Sequence, residues 1–318
     1  MNGIGGQARG ARGAVQSAAV GRYDDTPTAM TAAAGILDLT QVGPDVFMAS
    51  AGAINHLGTV FGGRLIAQAL AAALNSIEGL PLSSPHAYFL APGRVDLPLE
   101  YRVARLRDSR RFANRQVTGW QEERAIFTLM CECHVIEDSF AHQSASMPSV
   151  PPPEETKPLQ MFVRDHEAQL DPSAIHNFAG ALPIELRPIA PEDYLLGRPD
   201  RPERAFWFRQ SSASVIDDPR LHQCLLAFAS DYWLAGVAAA PHALPTNGKT
   251  LLISSMDHAV WFHRPVRCDE WLLHHTASPF AADGLGLATG RIFDRHGQLI
   301  ASTAQECLLR RLDESSPT

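Results

Sequence analysis

Phe61-Gly-Gly-Arg-Leu-Ile-Ala-Gln-Ala-Leu-Ala-Ala-Ala-Leu-Asn-Ser-Ile77 is the stretch on which the fold turns. Leu65, Ile66, Ala69, Leu70, Ala73, Leu74 and Ile77 recur at helical spacing, so a helix is expected over residues 61–77. Ala67, Ala71 and Ala72 flank that stripe. A helix apolar on so many sides is wrapped by other elements rather than laid on a surface. Strand-like runs follow at 86–90, 99–107, 112–120 and 125–136. Leu99, Tyr101 and Val103 alternate with charged or polar residues, the pattern of a half-buried antiparallel strand. A buried helix followed by meandering strands predicts an α+β layer structure.

Working outward, the same order returns in the second half. Residues 205–209 read as a strand and 221–237 as an apolar helix. Further strands are expected at 250–263, 270–277, 284–293 and 299–309, with turn chemistry in Asp294-Arg-His-Gly297. Between the halves lies Met147-Pro-Ser-Val-Pro-Pro-Pro-Glu-Glu155, whose successive prolines hold the chain extended. Ahead of the first helix, 36–39 and 46–48 read as short extended pieces. The expected organisation is a disordered tail at 1–34 and an N-terminal domain at 35–145. A linker and crossover with short helices follows at 146–202, then a C-terminal domain at 203–312 and a tail at 313–318. Two helix-then-strands units in one chain suggest a duplicated domain.

The length of 318 residues suits two cores, and 45% hydrophobic with 19% charged residues supplies them. A net charge of −7 offers no broad positive field for a nucleic-acid backbone. No membrane span is expected from the apolar runs. Cys131, Cys133, Cys224, Cys268 and Cys307 are odd in number and lack a C-x-x-C pair, so neither a disulfide framework nor a structural zinc site is expected. A reducing, cytoplasmic location fits. The first 23 residues, rich in Gly, Ala and Arg and free of acids, could also be read as a transit peptide.

Several familiar sites are missing. There is no G-x-S-x-G nucleophile elbow. Gly248-Lys249-Thr250 has Ala243 where a phosphate-binding loop begins with glycine, and Gly284-Leu-Gly286 has Thr289 at the third glycine position of a dinucleotide fingerprint. The histidines show no metal-ligand spacing, so no metal is expected. What stands out is polarity inside apolar segments. Asp231 sits in Leu225-Leu-Ala-Phe-Ala-Ser-Asp-Tyr-Trp-Leu-Ala235, where an ionised carboxylate is costly unless partners satisfy it; a helix N-cap accounts for it equally well. Gln305 sits in the strand pattern Ala301-Ser-Thr-Ala-Gln-Glu-Cys-Leu-Leu309, and a cross-strand hydrogen bond would explain it alone. Ser255 is an ordinary strand hydroxyl, and periodicity does not bring the three together.

At these residues the sequence resembles the acyl-CoA thioesterase II family, the tandem-hotdog thioesterases. Ala229-Ser-Asp-Tyr232, Met256-Asp-His-Ala-Val-Trp-Phe-His-Arg-Pro265 and Ser302-Thr-Ala-Gln-Glu306 match its C-terminal blocks in order. Val60-Phe-Gly-Gly63 with Gln68-Ala-Leu70, Tyr88-Phe-Leu-Ala-Pro-Gly93 and Met147-Pro-Ser-Val-Pro-Pro-Pro153 resemble its N-terminal half and linker. Coverage runs over residues 36–311. The resemblance implies a double hotdog, each half a long central helix wrapped by an antiparallel β-sheet. It implies a catalytic trio carried over as Asp231, Ser255 and Gln305, which hold and activate a water that hydrolyses fatty acyl-CoA to free fatty acid and CoA. No separate cofactor is implied, CoA being part of the substrate, and a homo-oligomer is expected.

Gly62 and Gly63 are candidates for CoA or oxyanion contacts, or for tight helix-to-sheet packing. Arg110 and Arg111 are candidates for CoA phosphates, or simply a solvated loop. The chain departs from the family pattern at Ser109-Arg-Arg-Phe112 and Ala91, which bear on CoA contacts and substrate preference. It departs again at Cys307, which could crowd the strand beside Gln305. Asp257 with His258 or His263 is expected to lock the strand structurally, and Trp261 and Phe262 to be core. Two other readings stay open: a catalytically weak acyl-CoA-binding or regulatory protein, and a hydratase or dehydratase. The last needs His258 or His263 facing the tunnel beside Asp257.

Overall fold

In the computed structural model the described residues are 33–50, 58–196, 201–242 and 251–312. Residues 1–32 of the tail expected at 1–34, and the tail expected at 313–318, lie outside them. The first half runs α1 (Ala33–Ile36), β1 (Thr40–Gly43), β2 (Val46–Ala49), α2 (Gly62–Leu74), β3 (Leu82–Phe89), β4 (Leu99–Asp108), β5 (Phe112–Gln121) and β6 (Arg124–His134). The crossover holds α3 (Leu159–Asp165), α4 (Pro172–Phe178), β7 (Glu185–Pro188) and α5 (Pro191–Leu195). The second half runs β8 (Glu203–Arg209), α6 (Pro219–Ser230), a 3-10 stretch (Ala235–His242), β9 (Leu251–Ser255), β10 (Asp257–Phe262), β11 (Leu272–Ala282), β12 (Leu285–Asp294) and β13 (Leu299–Arg311).

The strands form one antiparallel sheet in the order β1-β2-β4-β5-β6-β3-β10-β13-β12-β11-β8-β7, with β9 also paired to β13. The β3–β10 pair, with Asp257 opposite Tyr88 and Ala259 opposite His86, sews the halves together. Both helices lie on the sheet's inner side, side by side and antiparallel. Gly63 at the start of α2 meets Asp231 at the end of α6, while Arg220 at the start of α6 donates 2.8 Å to the Ile77 carbonyl beyond α2.

Every residue of α2 from Gly63 to Leu74 is buried, as its all-round apolarity predicts. Each polar exception has at least one partner. Gln68 Oε1 accepts 3.0 Å from Tyr101 Oη, and Arg64 Nη2 donates 3.3 Å to the Ser50 carbonyl. Alanines on α2 let α6 come close, and Gly63 is required there, because a Cβ would collide with the Phe228 carbonyl of α6. Burying Leu65, Ile66 and Leu70 contributes about 1.5–3 kcal/mol each.

Several details differ from the sequence expectation, among them the apolar helix expected over 221–237, which ends at Ser230. Residues 33–36 are helical rather than extended or part of a tail, since Ala33 is buried and its N–H donates 3.0 Å to Ser212 Oγ. The strand expected over 250–263 breaks at Met256, whose N–H still reaches the Glu306 carbonyl at 2.9 Å. Trp261 is not core: it is 38% exposed and stacks edge-on against His86 on the outer face. Finally, Pro219–His242 is long and apolar enough to cross a membrane by length and composition, which the reading of the apolar runs did not single out. Its apolar window is 67% buried inside the protein, and Asp231 interrupts it, as befits a core helix.

Candidate active site

Asp231 is not an N-cap. It is the C-cap of α6, at φ −80° and ψ −13°. A carboxylate at a helix C-terminus faces the wrong end of that helix's dipole. The antiparallel neighbour corrects this: the N–H of Gly63 in the first turn of α2 donates 2.8 Å to Asp231 Oδ2. Gly62 makes that approach possible, since a Cβ there would sit 2.8 Å from Asp231 Oδ2 and 2.9 Å from Phe89 Cζ. The two glycines are thus a seat for the carboxylate as well as a packing device. The other carboxylate oxygen, Oδ1, accepts 2.9 Å from Gln305 Nε2. Only 6% of the Asp231 side chain is exposed, so these two donors carry most of its solvation.

Gln305 reaches inward because β13 alternates: Ala301, Thr303, Gln305 and Cys307 are all buried. Its Nε2 must be the atom facing Asp231, a carboxylate being acceptor only, which leaves Gln305 Oε1 buried without a partner. Ser255, the third expected member, ends β9 half-buried and opposite Cys307 on β13. Cross-strand partners share a face, so Ser255 is a diagonal neighbour of Gln305, roughly 7–8 Å away. Among the described residues no side-chain hydrogen bond joins Ser255 to Asp231 or Gln305. The pair Asp231–Gln305 is therefore joined directly, whereas Ser255 shares the face of Gln305 and bonds neither.

The sequence reading gave His258 a structural bond to Asp257, and the structure places it between Ser230 and Asp231 instead. His258 does not bond Asp257, whose Oδ1 instead accepts 2.6 Å from the Glu306 N–H. Its ring is buried, with Nε2 2.8 Å from Ser230 Oγ and Nδ1 3.8 Å from Asp231 Oδ1. Burial holds the imidazole below its ordinary pKa, against the opposing pull of Asp231 and Asp257. The alternation His258, Val260 on a β-strand was the available signal, because Val260 is core and His258 shares its face. His263 points elsewhere: it is exposed, with Nε2 2.9 Å from Ser302 Oγ. The histidine-and-Asp257 arrangement that a hydratase would need is not formed.

Arg110 and Arg111 lie in the turn between β4 and β5, where Arg111 Nε pairs with Glu137 Oε1 at 3.0 Å. That turn is beyond the C-terminal end of α2, since neighbouring Arg115 bonds Ser76. The 13 residues of α2 separate it from Asp231 by about 20 Å. Neither arginine is brought to the carboxylate. Cys307 does not crowd Gln305. Its Sγ lies 3.4 Å from the Gly286 carbonyl within a small apolar cluster of Ala238, Leu251 and Ile253, and burial pushes the thiol up to about 11. Apolar walls flank the carboxylate: Phe61 packs against Tyr232 at 4.7 Å and Phe228 at 5.3 Å, and Phe89 against Phe127 at 5.7 Å. Among the described residues no cluster suits a metal ion.

A buried acid beside a carboxamide, in a helix-and-sheet frame repeated twice, has counterparts. Residues 139–309 match the family model for the acyl-CoA thioesterase C-terminal domain, and residues 51–134 that for the N-terminal domain. The human protein acyl-coenzyme A thioesterase 8 is 34% identical over 258 residues, covering 79% of this chain and 80% of that protein. Acyl-CoA thioesterase 2 of Haemophilus influenzae is 36% identical over 252 residues, covering 79% and 87%. The crystal structure of the acyl-CoA thioesterase II TesB2 from Mycobacterium marinum superposes with a TM-score of 0.71 at 32% identity, covering 89% of this chain and 99% of that one. Both halves being matched in order, the chain belongs to the acyl-CoA thioesterase family, a thioester hydrolase of double hotdog fold.

Proposed function

We propose that this chain hydrolyses fatty acyl-CoA to free fatty acid and CoA, using a water activated by Asp231 and positioned with the help of Gln305 and Ser255. The observation that carries the reading is the seating of Asp231. A carboxylate only 6% exposed is held by one N–H on each oxygen, which fixes its orientation yet leaves lone pairs for a third donor. Such a group can take a proton from water without moving.

The chemistry balances as follows. The water oxygen bonds to the thioester carbonyl carbon while one O–H proton passes to Asp231 Oδ1. The tetrahedral species collapses as the C–S bond breaks, and the sulfur leaves with the proton returned from Asp231. In the first turn of α2 the N–H of Gly63 is held by Asp231 and those of Arg64 and Leu65 by the Phe61 carbonyl, so the N–H of Gly62 is the one suited to the developing oxyanion. Phe61, Phe89 and Tyr232 offer the acyl chain an apolar lining. At about 20 Å from Asp231, Arg110 and Arg111 suit the phosphate end of CoA rather than the thioester.

Two further proposals accompany this one. Tyr88, Met130 and Trp261, at 58%, 50% and 38% exposure on neighbouring strands of the outer face, support self-association into a homo-oligomer. The five buried free cysteines support a reducing, cytoplasmic setting.

Release of free CoA thiol from a panel running from acetyl-CoA to stearoyl-CoA tests the main reading. Turnover is expected with at least one fatty acyl-CoA, faster than with acetyl-CoA. Binding of the esters without thiol release at any chain length would make the chain an acyl-CoA-binding protein instead.

A further inference from the structure

Asp231 Oδ1 has a close neighbour that the hydrolytic step above does not use. His258 precedes Ala259, the residue of β10 paired with Ala304, and so faces the helices beside Gln305. Its Nε2 lies 2.8 Å from Ser230 Oγ, and that hydroxyl lies 2.9 Å from the Ala227 carbonyl. A carbonyl only accepts, so the single hydroxyl proton goes to Ala227 O, and the Ser230 oxygen accepts from Nε2–H. The proton of the neutral ring is therefore on Nε2, and Nδ1 carries a lone pair. Burial favours this neutral ring at pH 7.

Nδ1 is buried without a hydrogen-bond partner, 3.8 Å from Asp231 Oδ1. Gln305 Oε1 is in the same condition. The carboxylate is thus flanked by unmatched acceptors, an arrangement that calls for a small neutral molecule with two donors. Water is such a molecule. Two acceptors 3.8 Å apart are both within reach of one water at hydrogen bonds of about 2.8 Å.

We propose that His258 is a further catalytic residue, its Nδ1 accepting one O–H of the attacking water while Asp231 Oδ1 accepts the other. This rests on the Asp231 reading above. With both protons engaged, the oxygen lone pairs are turned away from the two acceptors and toward the thioester carbon. In the attack, the O–H on Asp231 breaks and its proton moves to Oδ1. The O–H on His258 stays intact and leaves with the product acid, so the ring begins and ends neutral. Sulfur receives the proton from Asp231 as the C–S bond breaks.

The competing role is a clamp, in which Nε2–H merely ties β10 to the end of α6. Two substitutions separate the roles. His258→Gln brings an amide N–H to the place of Nε2, keeping the bond to Ser230 and deleting the acceptor at Nδ1. His258→Asn brings a carbonyl oxygen to the place of Nδ1 and gives up the bond to Ser230. With the acyl-CoA turned over best by the wild type, H258Q is expected to lower kcat about a hundredfold, the scale of losing one water- or oxyanion-positioning contact. H258N is expected to stay within about tenfold of wild type. A clamp predicts the opposite order, so a folded H258Q with wild-type kcat, or one faster than H258N, overturns the proposal. If H258Q does not fold, H258N decides alone, a hundredfold loss in the folded chain counting against the proposal. Asp231→Ala is measured alongside. Wild-type turnover in that variant would sink the Asp231 reading itself, whereas an inactive D231A with an active H258Q would remove only the role of His258.

Discussion

Asp231, the acid proposed to activate the water, sits where a carboxylate is costly to the fold. Its carboxylate is removed from water at the C-terminal end of α6, where the helix dipole opposes it, and among the described residues Gly63 N–H and Gln305 Nε2 compensate. Gly62 is the thinnest part of that arrangement. Gly62→Ala should reduce kcat by at least about tenfold, because its methyl would push against Asp231 Oδ2 and Phe89. The thermal midpoint should fall little by comparison, since Phe89 can rotate; equal kcat in the variant would show that the carboxylate has room. Asp231 and Gln305 were legible in the sequence as polar groups stranded in apolar runs. Ser255 was not, being one hydroxyl among many, and only the family resemblance marked it. His258 was misjudged because the adjacent Asp257 looked like its partner, and only strand register tells which side chains share a face.

At the scale of elements, the α2–α6 pair and β13 do the positioning, and β13 packs against a buried imidazole kept neutral. That ring is His274 of β11: fully buried, its Nε2 faces Thr303 Oγ1 of β13 at 3.4 Å, and it packs edge-on to Phe206 of β8 at 5.3 Å. Burial, aided by the nearby His258 and His275, lowers its pKa to about 3. The unfolded chain takes up a proton on this residue near pH 6.5, the folded chain not until about 3. Stability from this ring is therefore complete above pH 6.5 and is lost progressively as pH falls toward 3, with a slope approaching 1.4 kcal/mol per unit, on the order of one proton. Urea unfolding at pH 7, 5 and 4 should show the loss, and it should be shallower in His274→Gln. Identical slopes in the two proteins would mean the imidazole is already solvated. The helix α2 was readable almost to its ends, because its apolar spacing is continuous. The break at Met256 was not, since a bulge leaves no mark in an apolar alternation.

Across the whole molecule, a repeated architecture carries an unrepeated site. The C-cap of α6 is Asp231, whereas the C-cap of α2 is Asn75, whose Nδ2 simply donates 2.8 Å to the Ala71 carbonyl. Where β10 offers His258 beside Gln305, β3 offers Ala87 opposite Leu129 of β6. The frame thus occurs twice, and the acid, amide and imidazole once. The order of helices and strands in the two halves could be read from the sequence, but that the acid and amide come from the second half while the first contributes the start of α2 required knowing which positions face inward. The most direct test follows from this asymmetry: steady-state thiol release by Asp231→Asn, a variant of nearly the same shape, with unfolding midpoints measured in parallel. The predicted result is a kcat lowered by about 10²–10⁴, the usual worth of a positioned proton acceptor, in a chain that unfolds where the wild type does. A folded Asp231→Asn protein that keeps half or more of the wild-type turnover would contradict the account.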